Sequence, residues 1–473
     1  MSRLMTACLI AGAIAFAAAM AGIDVRATYG ARVSGDEPQY LITAMSLGDD
    51  LDLDVSDEIA AEKWRAFHEI PLDPQTRPLA DGREVSPHDP LLPALLAAPV
   101  ALGGWAAAKM TLAFLAGVLA ALLVWIAVRR FEVQPFAAAL TASIFGASAP
   151  LAVYGSQVYP ELPAALAVAV AVALLTGPLA RSAVVGQALC VVALPWLSVK
   201  YSPVAAVIAV WLVVRLWRAE RRGEAGLVVA GLGLAGVAFA VAHWQWYGGW
   251  TAYATGDHFL SGEFGVVGSE PDVLGRSRRL IGLLVDRNFG IAAWQPAWLL
   301  VVPAAAAMFR ARPRHWGWLA ALAATGWLGA TFVALTMHGW WWPGRQIVVV
   351  LPVLVLMVAW WANSARRHLV AVTALGALGL ATYAWLIVEG SLGQITWIVD
   401  FFETSNPIYR TWRMVLPEYM NMSAMTWALH GLWIAGAVVL SISGRAPLGR
   451  PRNKRVRRPD QPVTSISVRM PSS

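Results

Sequence analysis

Asp36 and Glu37 are neighbouring carboxylates directly behind an apolar stretch of bilayer-crossing length, and Pro38 follows them. Proline suits the first turn of a helix, where a missing amide donor costs nothing, and Gly48 suits its end. The spacing therefore predicts a short helix carrying Tyr40, whose positive dipole end favours ionised acids at its start. Such a pair offers a base for proton abstraction or a ligand for a cation; the plainer alternative is a capping box that only ties the helix start. His88, His243, His258 and His338, with Asp36, Glu37 and Glu161, supply oxygen and nitrogen donors of the kind Mg, Mn or Zn takes, but no two stand at a helical metal-ligand spacing. A divalent metal ion is thus an open alternative, and no cofactor is required. The run Asp49, Asp50, Asp52, Asp54, Asp57, Glu58 lacks the turn glycine of an EF-hand loop and reads as a solvated acidic face. Cys8 and Cys190 sit in apolar runs, which speaks against a disulfide framework, a CxxC redox pair or a zinc site.

The elements that must position these groups are membrane helices. Hydrophobic residues make up 58% of the 473, charged residues 14%, and Trp reaches 24, so most segments have no polar face to offer water. Uncharged apolar runs lie near 4–21, 110–128, 133–153, 162–180, 182–199, 202–214, 225–242, 289–309, 316–337, 346–362, 369–388 and 424–443. The expected fold is an all-α polytopic membrane protein of about 12 transmembrane helices, in which the short run 202–214 requires Arg215 and Arg218 to snorkel. The first run has features of a secretory signal, but Leu4 to Ala21 exceeds the roughly 7 to 15 residues of a usual signal core, so retention is expected. Short loops carry Arg129 and Arg130, Arg181, Arg215 to Arg222, Arg310 to Arg314, and Arg366 with Arg367. The positive-inside tendency then puts these loops and both termini in the cytosol of a multi-pass cell-membrane protein. Three long segments, 22–109, 243–288 and 389–423, face outward and are expected to form short amphipathic helices. Residues 1–443 read as one transmembrane domain. The basic tail 444–473 reads as a disordered cytosolic segment meeting anionic membrane lipid, and the placement of its charge excludes nucleic acid as the partner.

Several short motifs follow in order along the outward segments: Asp36-Glu37 before Tyr40, Pro87-His88-Asp89-Pro90-Leu91-Leu92-Pro93, Tyr159-Pro160-Glu161, Leu284-Val285-Asp286-Arg287-Asn288-Phe289-Gly290 with Gln295-Pro296, and Trp340-Trp341-Trp342-Pro343-Gly344-Arg345. Together they resemble the GT-C superfamily of integral-membrane glycosyltransferases, which use lipid-phosphate-linked sugars. The His/Pro-rich stretch is similar to the protein O-mannosyltransferase and aminoarabinose-transferase branches, and the later stretches to uncharacterised bacterial members. The resemblance runs from residue 1 to about residue 350, and Asp89 departs from it, standing where a second Pro or a Lys is common.

The resemblance implies inverting transfer of a hexosyl or pentosyl unit, mannosyltransferase-like, from a polyprenyl-phosphate sugar donor to a lipid, glycan or protein acceptor at the outer membrane surface. An attacking hydroxyl must lose its proton, and Asp36, with Glu37 beside it, is the candidate base. The leaving phosphate needs positive charge rather than an acid, for which Lys200, Arg287 and Arg345 are placed. Tyr40, His88, Tyr159, Glu161, Asp286 and His338 complete the implied substrate-binding set. Lys200 also reads as a snorkelling anchor and Glu161 as a helix cap. Trp244, Trp246, Trp250 and Trp340 to Trp342 read as an interfacial belt. A secondary transporter is the alternative function, and a noncatalytic scaffold a further one. Transporters usually place ionisable groups near the midplane, whereas the charges here gather outside the apolar runs.

Overall fold

The computed structural model describes residues 2–72, 75–76, 78–256 and 272–443; His258 and the basic tail lie outside the described residues. Within them the chain is helical, with isolated β-bridges in place of strands. The helices that matter for the site are α1 (Arg3–Ala21), α2 (Glu37–Asp49), α3 (Ser56–Ala60), α4 (Leu91–Phe131), α5 (Pro135–Gly146), α6 (Leu151–Tyr154), α7 (Glu161–Leu175), α8 (Arg181–Leu197), α9 (Ser202–Arg218) and α10 (Arg222–Tyr247). They continue with α11 (Val301–Ala311), α12 (Trp316–Leu328), α13 (Leu351–Ala362), α14 (Arg366–Ser391) and α15 (Ala424–Ser443). Eight helices among the described residues are long and apolar enough to cross a bilayer, and four shorter apolar ones accompany them: Pro135–Gly146, Glu161–Leu175, Arg181–Leu197 and Pro296–Ala311. This is an all-α polytopic membrane fold, and its apolar helices fall on the runs read from the sequence.

Small residues let the first helices approach closely. Ala7, Ala11, Ala15 and Ala19 form the buried stripe of α1, which packs on α4 and α5, while Met5, Leu9, Ile10 and Ile14 point outward. A Cβ on Gly117 would stand 2.9 Å from the Gly12 carbonyl oxygen, so only glycine permits this crossing. α4 starts at Leu91 and bends at Gly103 and Gly104, so residues 91–109, read from the sequence as part of the first outer segment, are helical. Helix α9 is longer than its uncharged run because it continues through Arg215 and Arg218 in its last turn, and a 3-10 turn, Val199–Tyr201, leads into it. Arg215 does not only snorkel: its guanidinium bonds the Leu174 and Gly177 carbonyls at 3.3 and 2.7 Å, satisfying the C-terminal end of α7.

The outer segments contain short helices, as the pattern of turn residues predicts: α2 and α3 in the first, Val273–Ser277 and Arg279–Val285 in the second, Pro407–Trp412 in the third. The acidic run is less solvated than its composition suggests. Asp54 accepts from the Ser56 and Glu84 amides at the start of α3, Asp52 accepts from Ser46, and Lys63 bonds Asp49 and Glu58. The tryptophans also divide. Trp244, Trp250 and Trp340 are exposed, whereas Trp342 is wholly buried among Trp294, Trp397 and Phe401, and Trp341 is buried as well, so these two are not part of an interfacial belt.

Candidate active site

Asp36 sits at the start of α2 but makes no capping hydrogen bond; its Oδ2 is bonded instead by Nη2 of Arg345. Arg345 is delivered by Gly344, which adopts φ 87° and where a Cβ would meet the Ile291 side chain at 2.6 Å. A left-handed glycine is therefore what turns the chain so that Arg345 enters the protein. Its Nε donates to Glu161 Oε1 at 2.9 Å, and Lys200 Nζ donates to the same oxygen at 2.6 Å. Glu161, the first residue of α7, thus ties two cations rather than capping its own helix, and Lys200 is held inside the protein rather than snorkelling. The Arg345 guanidinium lies 4.3 Å from the Tyr159 ring centroid and 5.2 Å from that of Trp341, which orients its plane between the two acids.

Behind this cluster, Asp89 fixes the turn that carries Lys200. Its Oδ2 accepts from the Val199 amide at 2.9 Å and its Oδ1 lies 2.9 Å from His243 Nε2, while His243 Nδ1 meets the Phe239 carbonyl. Asp89 thus acts as a structural tether. His88 stacks on Tyr40 at 4.6 Å and contacts Gln75 Oε1 through Nε2 at 3.1 Å. Tyr159 donates to the Ser34 carbonyl at 3.2 Å.

Glu37 takes a different place from Asp36. It is fully buried, and its two oxygens accept from the Val158 amide at 2.7 Å and the Ser34 amide at 3.4 Å, which locks the start of α2 to the loop before α7. Burial pushes its carboxyl above the ordinary range, and the nearby Lys109 ammonium offsets only part of that. For Asp36 burial acts in the same upward sense, but the Arg345 guanidinium above all, with the Lys200 ammonium, outweighs it and holds the carboxyl well below the usual range. Burial lowers the His88 imidazole, and the Asp36 charge does not fully offset it. The acid facing the cations is thus ionised and the histidine beside it is neutral at neutral pH.

Asp36, Tyr40, His88, Lys200 and Arg345 line one cavity of about 550 Å³. The apolar part of its lining, the apolar arm, is made by Val204, Gly326, Ala330, Val333 and Val349, of which Val333 is exposed. A π-helical turn, Gly329–Val333, interrupts the end of α12 along this arm. The lining therefore combines groups that suit an anion with groups that suit hydrocarbon.

Asp286, Arg287 and His338 are not brought to this cavity. Asp286 accepts from the Asn288, Phe289 and Tyr419 amides and lies 3.6 Å from His338 Nε2; Arg287 pairs with Glu418 at 2.6 Å. The set expected for a divalent ion is dispersed in the same way. Among the described residues the convergent acidic group is Asp50, Asp57 and Glu58, two of them exposed, and Lys63 already bonds Glu58. Gln75, Tyr201 and Tyr253 also line the cavity and are not legible in the sequence, since isolated aromatics and amides carry no spacing signal, and Trp341, read as part of an interfacial belt, lines it too; Asp89 and His243, adjacent only in the fold, carry no spacing signal either.

Fold and site together define a polytopic membrane protein with an ion-paired, hydrogen-bonded cavity that opens into an apolar arm. Two crystal structures of ArnT from Cupriavidus metallidurans, one in the apo state and one bound to undecaprenyl phosphate, are similar to the chain with TM-scores of 0.45 and 0.44 at 14% identity, over 92% and 91% of this chain and 76% of theirs. No family model and no curated protein matches the chain.

Proposed function

We propose that the chain is a membrane glycosyltransferase that moves a sugar from a polyprenyl-phosphate-linked donor to an acceptor hydroxyl at the outer membrane surface. The single observation carrying this reading is the cavity in which Asp36, Lys200 and Arg345 stand at the mouth of an apolar arm. A prenyl chain suits the arm, and a phosphate suits the two cations.

In the ion-paired arrangement Asp36 is a weak base, because Arg345 holds its carboxyl low. A donor phosphate competes for the same guanidinium and ammonium, since Arg and phosphate pair through a bidentate fork. As Arg345 turns from Asp36 to the phosphate, burial regains its upward effect on the carboxyl, and Asp36 becomes able to take the acceptor's proton. The oxygen so activated attacks the anomeric carbon from the face opposite the phosphate, which departs as an anion held by Arg345 and Lys200. Glu161 receives both cations when the phosphate leaves. In this reading Tyr40 and His88 flank the sugar, and Glu37 and Tyr159 hold Asp36 and Arg345 in place.

The test is to incubate proteoliposomes containing the full chain with a panel of polyprenyl-phosphate sugars and acceptor lipids and follow donor consumption. One or more donors should be consumed by the native chain and none by Asp36→Asn. Uptake of a solute that survives Asp36→Asn, with no donor consumed, would replace this reading with transport.

A further inference from the structure

The helices that meet the charged cavity have their other ends at a second concavity. α7 runs away from Glu161, α9 from the Lys200 turn, and α13 from the segment opened by Arg345. At those far ends lies a hollow of about 610 Å³, bordered by Arg129, Arg130, Glu132, Gly177, Arg314 and Trp360. A smaller one of about 330 Å³ beside it shares Arg314 and His315 and adds Arg215 and Arg218.

Three features of this hollow ask for an anion. Its arginines come from different elements, the last turn of α4, the connection between α11 and α12, and the last turn of α9, so their convergence is a product of folding rather than of one basic run. Among the described residues none of Arg129, Arg130, Arg215 and Arg314 forms an ion pair with a carboxylate, and Glu132 is the one acid on the wall. Arg130 spends its Nε on the Ala173 carbonyl at 3.2 Å and lies over Trp125 at 4.7 Å, which fixes it without neutralising it. Like charges gathered at a partly buried site repel, and a bound anion removes that cost. The third feature is His315. It is held at φ 67°, and its Nε2 is buried with no hydrogen-bond partner, an orphaned polar atom beside the arginines.

We propose that this hollow binds the phosphate of an anionic glycerophospholipid from the leaflet opposite the charged cavity. Arginine matches phosphate through its fork, basic hollows between helix ends are suited to such headgroups, and Trp318 and Trp360 border the two hollows as aromatic residues do at headgroup level. The competing explanation is a diffuse basic surface that attracts lipid without a site. The two are separated by comparing charges inside and outside the hollow.

Native mass spectrometry of the full chain in neutral detergent, titrated with phosphatidylglycerol, phosphatidylcholine or inorganic phosphate, provides the test. Phosphatidylglycerol should be retained in preference to phosphatidylcholine. The double variant Arg129→Gln/Arg314→Gln should weaken its retention by about thirtyfold, from about 1 kcal/mol per basic residue near a membrane surface. Arg310→Gln, outside the lining, should leave retention unchanged. Glu132→Gln removes the opposing acid and should strengthen it, a gain that misfolding cannot imitate. Equal retention of the two lipids, an equal loss in Arg310→Gln, no gain in Glu132→Gln, or inorganic phosphate binding as tightly as the lipid would each overturn the proposal.

Discussion

At the scale of single residues the cavity is governed by who holds Arg345. The guanidinium is shared by Asp36 and Glu161, and Glu161 is shared by Arg345 and Lys200, so removing either inner member, Arg345 or Glu161, strips an outer one of its ion pair, whereas removing Asp36 or Lys200 leaves the others paired. Asp36→Asn keeps the shape and a hydrogen-bond acceptor for Arg345 but abolishes the base, and turnover should fall by about 10² to 10⁴-fold while insertion and yield stay normal. Arg345→Lys keeps the charge and loses the fork, so donor KM should rise more than kcat falls. Its pH signature follows from the causes acting on Asp36. With the guanidinium gone from its place, burial lifts the carboxyl. A base must be deprotonated to work, so the acidic limb of the pH-rate profile should move to higher pH in Arg345→Gln; a limb left in place would remove Asp36 from the role of base. Glu37 is a different case, an acid whose work is structural. Glu37→Ala strips the Val158 and Ser34 amides of their acceptor, and should cost about 1–3 kcal/mol of stability, read as a lowered unfolding temperature in detergent.

At the scale of elements the site depends on turns that aim side chains inward. The 3-10 turn carrying Lys200 is pinned by Asp89, itself held by His243 from the end of α10. Asp89→Ala frees both the Val199 amide and the imidazole, at a cost of about 1–3 kcal/mol for the unsatisfied donor. It should weaken donor binding without altering the pH dependence set by Asp36, whereas Asp89→Asn, which retains an acceptor for the amide, should recover much of the binding. Sequence reading reached α2 and its start because Asp, Glu, Pro and Gly act locally on the backbone. It reached Arg345 because a Pro-Gly pair marks a turn. It did not reach the Asp89–His243 tether, since 154 residues separate the partners and neither has a spacing rule. For the same reason it joined Asp286, Arg287 and His338 to the site: their motifs lie in the outer segments, but the Asp286 carboxylate is consumed by local amides and never faces the cavity. Position along a membrane chain fixes depth far better than it fixes which side of a bundle a residue faces.

At the scale of the molecule, apolar runs and their interruptions were legible because a bilayer leaves so few options for a backbone that must satisfy its own hydrogen bonds. Pairing between charges was not, because the partners meet only when α2, α7, α9 and the segment before α13 converge. That convergence has a directional consequence. The same helices carry the acid-and-cation cavity at one end and unpaired arginines at the other, so the two sites should open to opposite sides of the membrane. By the positive-inside tendency of Lys and Arg in short loops, the expectation is an arginine end in the cytosol and a cavity that faces outward. Gln75 lines the cavity and Arg314 lines the hollow. In a background lacking Cys8 and Cys190, Gln75→Cys should react in intact cells with a membrane-impermeant maleimide, and Arg314→Cys should react only after the membrane is opened. The reverse pattern would put the cavity in the cytosol, where a donor delivered to the outer surface could not reach Asp36.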